Sequence, residues 1–207
     1  MVEPAVTAAA FALGSVGNLL KGLPQFVTTA LRGRVAGLAP GAVWLALVAN
    51  VLWLCFGISI GDAGFAALSA LGVALTGGTL VRFAGSTAWS RHSAWAAPSV
   101  CACMAFVLLA LLGQDSVLAL VGVALGVAIS LPQLLHLWRL RSSDASVSGV
   151  SRAEILVVIA AQVGWTVYWL TQGQLIVAAG AAYGLLARAV TLALLQRQRR
   201  RAACSTL

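Results

Sequence analysis

The side chains best suited to recognising a small molecule come in two matched pairs. Asn50 and Trp53 are three residues apart, and so are Gln162 and Trp165. On a helix that spacing puts both members of a pair on one face. An indole face suits the C–H face of a sugar, and a carboxamide both donates to and accepts from hydroxyls. Further stripes run at helical spacing through Gly14, Asn18, Lys21, Gln25 and Thr28, through Ser69, Gly72, Thr76 and Thr79, and through Gly184, Arg188 and Thr191, with Tyr183 beside the last. In an apolar segment, such stripes face a cavity or a neighbouring helix. Together they describe a narrow polar path in which Lys21 and Arg188 form a positive patch for an anionic group. The competing account makes Asn50 and Gln162 glue between helices, worth about 0.6 kcal/mol each, and lets the two cations snorkel. No nucleophile, base and orienter constellation occurs, and no phosphate-binding GxxxxGK[ST] loop. The chemistry is therefore binding, with no catalysis and no cofactor. Cys101-x-Cys103 has no His partners for a metal.

Composition fixes the solvent. The 207 residues are 61% hydrophobic and 9% charged, with mean hydropathy +0.98. A soluble domain carries roughly 25% charged residues, so lipid covers this surface. The net charge of +8 lies in short clusters between apolar runs, which fits membrane topology and not nucleic-acid binding. The expected partners are the bilayer and a small polar solute, with homo-oligomers left open. Met1-Val2-Glu3-Pro4 lacks a basic n-region, so no cleavable signal peptide is expected.

A bilayer core about 30 Å thick needs about 20 helical residues. Seven apolar runs meet that length, at 5–30, 41–59, 64–84, 96–113, 117–139, 153–171 and 175–196. Arg32, Arg34, Arg91, Arg139, Arg141, Arg152 and the Arg197 to Arg201 cluster fall on one side of these spans, whereas the other side holds only Glu3, Asp62 and Asp115. The positive-inside bias then puts the N-terminus outside and the C-terminus in the cytoplasm. Trp44, Trp89, Trp95 and Trp138 suit the interfacial belt, whereas Trp53 and Trp165 lie deeper. All five carboxylates fall in tails, loops or span ends, which predicts passive transport without proton coupling.

The two halves of the chain align. At a constant offset of 112, Gly37 meets Gly149, Asn50 meets Gln162, Trp53 meets Trp165 and Gly72 meets Gly184. Leu23-Pro24-Gln25 meets Leu131-Pro132-Gln133 at 108, because the fifth loop is four residues longer than the first. A proline in a membrane helix removes a donor and bends the helix, as a rocking carrier requires. This predicts an all-α membrane protein with a first three-helix repeat over 1–84, a linker helix over 85–116, a second repeat over 117–196 and a basic tail over 197–207. Two repeats in the same orientation, related by an axis along the membrane normal, form the plan for which the SWEET carriers are a standing example.

Two Pro-Gln motifs, each followed by a basic loop, a Gly-Leu-Ala or Gly-Val-Ser and an apolar span with a Trp, resemble the PQ-loop superfamily over residues 5–196. That group includes the SWEET sugar transporters, cystinosin-type exporters and the KDEL receptor. Seven spans rich in Ala, Val and Gly most resemble bacterial members, which implies an inner-membrane location. The resemblance implies that Pro24 and Pro132 are hinges beside Gln25 and Gln133, and that Trp53 and Trp165 flank the substrate. Where sugar carriers place an Asn in the third span of each repeat, this chain has Leu71-Gly72 and Tyr183-Gly184. Where cystinosin-like members carry an Asp, it has Val158. The expected function is alternating-access transport of a small polar solute, a sugar foremost. An amino acid or organic anion is the alternative substrate, and a receptor of the same fold the alternative class.

Overall fold

The computed structural model of the protein describes residues 3–27, 40–84, 89–139 and 152–205. Among these residues there are seven α-helices and no strand: α1 Pro4–Phe26, α2 Pro40–Ser59, α3 Ala63–Ala84, α4 Trp89–Leu111, α5 Asp115–Arg139, α6 Arg152–Thr171 and α7 Leu175–Ser205. Six of the seven expected spans coincide with a helix start to within two residues. The exception is α4, which starts at Trp89 and not at 96. At the other end of the chain α7 runs through the expected tail to Ser205. Leu185 to Ser205 contains neither Gly nor Pro and is rich in Ala, Leu, Gln and Arg, so nothing in it stops a helix.

Three turns share one design. Gly61, Gly113 and Gly173 have φ of 72°, 67° and 73°, a left-handed conformation that costs glycine nothing. After α2, the Asp62 N–H donates to the Gly57 carbonyl at 2.9 Å and the Gly61 N–H to the Ile58 carbonyl at 3.1 Å. After α6, Gln174 and Gly173 repeat these bonds to Trp169 and Leu170, at 2.9 and 3.2 Å. After α4, Gln114 and Gly113 do so to Leu109 and Ala110. These paired bonds satisfy the last carbonyls of each helix. Asp62 also caps α3, its Oδ1 accepting from the Phe65 N–H at 3.0 Å. The first and last of these turns are 112 residues apart, the offset of the sequence repeat.

The helices form two compact units, residues 1–21 with 123–207 (unit 1) and residues 22–122 (unit 2). This division crosses the sequence repeats. Most of α1 belongs with α6 and α7 of the second repeat, and its last residues with α2 and α3 of its own. Likewise α5 begins with α2 and α3 of the first repeat and continues, from Val123, with α6 and α7 of its own. Each repeat therefore lends the start of its first helix to the other.

In unit 1, α1 approaches α6 through small residues. A Cβ on Gly164 would lie 2.7 Å from both the Ala10 carbonyl oxygen and the Gly14 nitrogen. A Cβ on Gly17 would overlap that of Ala161. In unit 2, Leu52 and Phe56 are fully buried, and Val43, Trp44 and Leu80 form a cluster with Leu47 and Ala96. Trp44, expected in the interfacial belt, is thus a packed side chain, whereas Trp95 is exposed. Large apolar side chains such as Ile58, Met104, Leu111 and Leu175 point outward. Ala63–Arg82, Ala94–Leu111 and Leu175–Leu194 are long and apolar enough to cross a membrane. Pro4–Leu20, Val43–Ser59, Asp115–Ala128 and Ile155–Thr171 are shorter apolar stretches. This is the surface of a protein whose solvent is lipid.

Close backbone approach makes a prediction. Gly164→Ala sets a methyl group against backbone that cannot rotate away, and should cost about 1–3 kcal/mol. A methyl group on Gly126, also in unit 1, would meet nothing within 4 Å, so Gly126→Ala should be neutral or gain up to about 1 kcal/mol of helix propensity. Thermal unfolding in detergent measures both. Equal midpoints for the two variants would contradict this packing.

Candidate functional site

The first candidate frame lies in unit 2. Asn50 on α2 donates from Nδ2 to the Ala46 carbonyl at 2.9 Å, and its side-chain oxygen lies where a Cβ on Gly72 of α3 would be. One turn along α3, the Thr76 hydroxyl donates to the Gly72 carbonyl at 2.7 Å. Thr79, buried, donates to the Leu75 carbonyl at 3.0 Å. Because these hydrogens are engaged within their own helices, Asn50 Oδ1 and the threonine oxygens contribute acceptor lone pairs. Trp53 is half-buried. Its ring meets Phe56 and Phe65 edge-on at 5.8 and 6.0 Å between centroids. Its benzo edge lies 2.8 Å from where a Cβ on Gly122 of α5 would be.

The second frame lies in unit 1 and copies the first. The Gln162 carboxamide on α6 lies 3.0–3.2 Å from where a Cβ on Gly184 of α7 would be. The Thr191 hydroxyl, 2% exposed, donates to the Ala187 carbonyl at 2.8 Å. Trp165 is 5% exposed, stacked on Trp169 at 6.3 Å and edge-on to Phe11 and Tyr168, each at 5.8 Å. Its ring lies 2.7 Å from where a Cβ on Gly14 of α1 would be. Arg188, one turn beyond Gly184, and Tyr183 beside it are half-buried.

The correspondence is residue for residue. Asn50 on Gly72 and Gln162 on Gly184 differ by 112 at both positions. Trp53 on Gly122 and Trp165 on Gly14 combine the offset of 112 for the tryptophans with the Pro-Gln offset of 108 for the glycines. Gly14 and Gly122 were thus readable as a pair, but only by carrying the 108 offset back along the first helices. Tyr168 repeats Phe56, each edge-on to its tryptophan at 5.8 Å, whereas Phe11 and Trp169 have no such signal, because Trp169 aligns with Gly57 and Phe11, at 108, with Ala119.

Not every expected residue joins a frame. The buried face of α1 is Ala10, Gly14 and Gly17, and Asn18 beside it is exposed. Lys21, Pro24, Gln25, Pro132 and Gln133 have helical backbone, and their side chains lie outside the described residues, as does Thr28. Among the described residues, no three His, Cys, Asp or Glu side chains come together as a metal site would require.

No family model matches this chain, and no curated protein matches it. Among solved structures it is similar to a eukaryotic SWEET transporter, with a TM-score of 0.73 and 16% sequence identity over 95% of this chain and 99% of that one. The likeness spans all seven helices and establishes the fold.

The two tryptophans differ in burial, and truncation should show it. Trp165→Ala empties a closed aromatic cluster and should cost about 3–5 kcal/mol. Trp53→Ala, from a half-buried position, should cost clearly less. Thermal unfolding of the purified variants checks this, and an equal or larger loss for Trp53→Ala would refute it.

Proposed function

We propose that this protein is a membrane transporter that moves a small polar solute, a sugar-like molecule foremost, by alternating access. The observation that carries the reading is the duplicated frame. A carboxamide seated on a glycine one turn from the next polar position, with a tryptophan three residues on, occurs once in each unit. Such a set recognises hydroxyls and a C–H face without making or breaking bonds. The likeness to a solved SWEET transporter supports the class.

The mechanism follows from the chain path. Only α1 and α5 carry the backbone from one compact unit to the other, and each contains a Pro-Gln motif. Pro24 lies just past the passage in α1, and a proline there lacks the N–H that would tie it to the preceding turn. Bending of these two helices is the motion that alternating access would use here. Without an intramembrane carboxylate the carrier works as a uniporter. The basic clusters set its C-terminus in the cytoplasm of a plasma-membrane host.

Uptake in proteoliposomes tests the reading. Labelled sugars should enter saturably and stop at the outside concentration, with or without an imposed pH gradient. Accumulation that a protonophore abolishes would show coupling instead. Saturable binding without uptake would make the protein a receptor.

A further inference from the structure

The two frames differ in charge at one position. Thr76 of α3 and Arg188 of α7 are equivalent at the offset of 112, each one turn beyond the glycine that seats the carboxamide. In unit 2 this position holds a neutral hydroxyl bonded to its own helix. In unit 1 it holds a guanidinium. The unit 2 frame has the same turns and the same carboxamide-on-glycine contact without a charge there, so the architecture does not require one. A cation inside a span costs about 2.5–3.5 kcal/mol on insertion scales. Arg188 lies six residues inside the apolar stretch Leu175–Leu194, at a position that is neutral in its own duplicate.

Helix geometry directs the Arg188 side chain toward the frame. In a helix each Cα–Cβ bond tilts toward the N-terminus, so a side chain covers the turn before its own Cα. For Arg188 that is the turn of Gly184, where the Gln162 carboxamide is seated. Lys21, also a cation within an apolar span, belongs by its backbone to the same unit. A guanidinium one helical turn from the glycine that seats a carboxamide suits a carboxylate, which it binds in fork geometry. The remaining polar groups of this frame, the Gln162 carboxamide and the Thr191 oxygen, still call for hydroxyls.

We propose that Arg188 sets the substrate class, and that the unit 1 frame takes the carboxylate of a polyhydroxylated solute, a sugar acid. This rests on the reading of the frames as the substrate surface. Glucose and glucuronate have nearly the same shape and differ in the charge at one end, so they are the probes. Binding to purified protein is measured by calorimetry, and uptake in proteoliposomes, for the wild type, Arg188→Lys and Arg188→Thr. The last variant copies the residue that the other repeat already tolerates.

The wild type should bind glucuronate at least about tenfold more tightly than glucose. Arg188→Thr should weaken glucuronate by about 10- to 100-fold, as loss of a charged hydrogen-bond pair does, and should weaken glucose much less. Arg188→Lys should keep part of the preference, since it keeps charge and loses the fork. Glucose bound as well as glucuronate by the wild type, equal weakening of both by Arg188→Thr, or no binding of glucuronate would each overturn the proposal. Arg188-dependent binding of glucuronate without uptake would sink the transport reading and leave the assignment of Arg188 standing.

Discussion

In a bilayer the apolar effect does not draw helices together, because lipid tails are as apolar as leucine, so close packing must do it. Here that packing depends on glycines that seat large side chains. Gly14 seats Trp165, Gly122 seats Trp53, Gly72 seats Asn50 and Gly184 seats Gln162. Any Cβ at these four positions would meet the seated group at 3.0 Å or less. The same contacts fix the rotational setting of α2 on α3 and of α6 on α7. The residues that hold the helices together and those that make the candidate surface are therefore largely the same.

The exchange of first helices gives this packing a consequence for motion. Because α1 starts on α6 and ends with α2 and α3, neither repeat can shift as a body without α1 bending or sliding. The same holds for α5. The Pro-Gln motifs lie in these two helices and in no others. A proline is most useful where a helix must belong to two bodies at once.

Much of this was legible in the sequence, and what was not has identifiable causes. Helix ends at Gly61, Gly113 and Gly173 were readable because only a left-handed residue closes that turn. The start of α4 was missed because Trp89 to Ser93 mixes Arg, His and Ser with one aromatic residue and has no apolar period. The end of α7 was missed because charge was read as the end of structure, whereas it ends only the apolar stretch at Leu194. Trp44 was assigned to the interface by residue type, and its packing against Val43 and Leu80 had no signal in the sequence. The glycine seats were hidden for a deeper reason. Repeat matching compares like with like at one offset, whereas a seat pairs a glycine of one repeat with an indole of the other across two offsets.

The central claim is that the frame seated on Gly72 touches the solute. Reactivity of a cysteine placed in it tests that directly. In a background with Cys55, Cys101, Cys103 and Cys204 replaced by alanine, Thr76→Cys should react with a small water-soluble thiol reagent. Saturating glucose or glucuronate, whichever the protein binds, should slow that reaction by about tenfold or more. A rate unchanged by a bound solute would place the binding surface elsewhere in the protein.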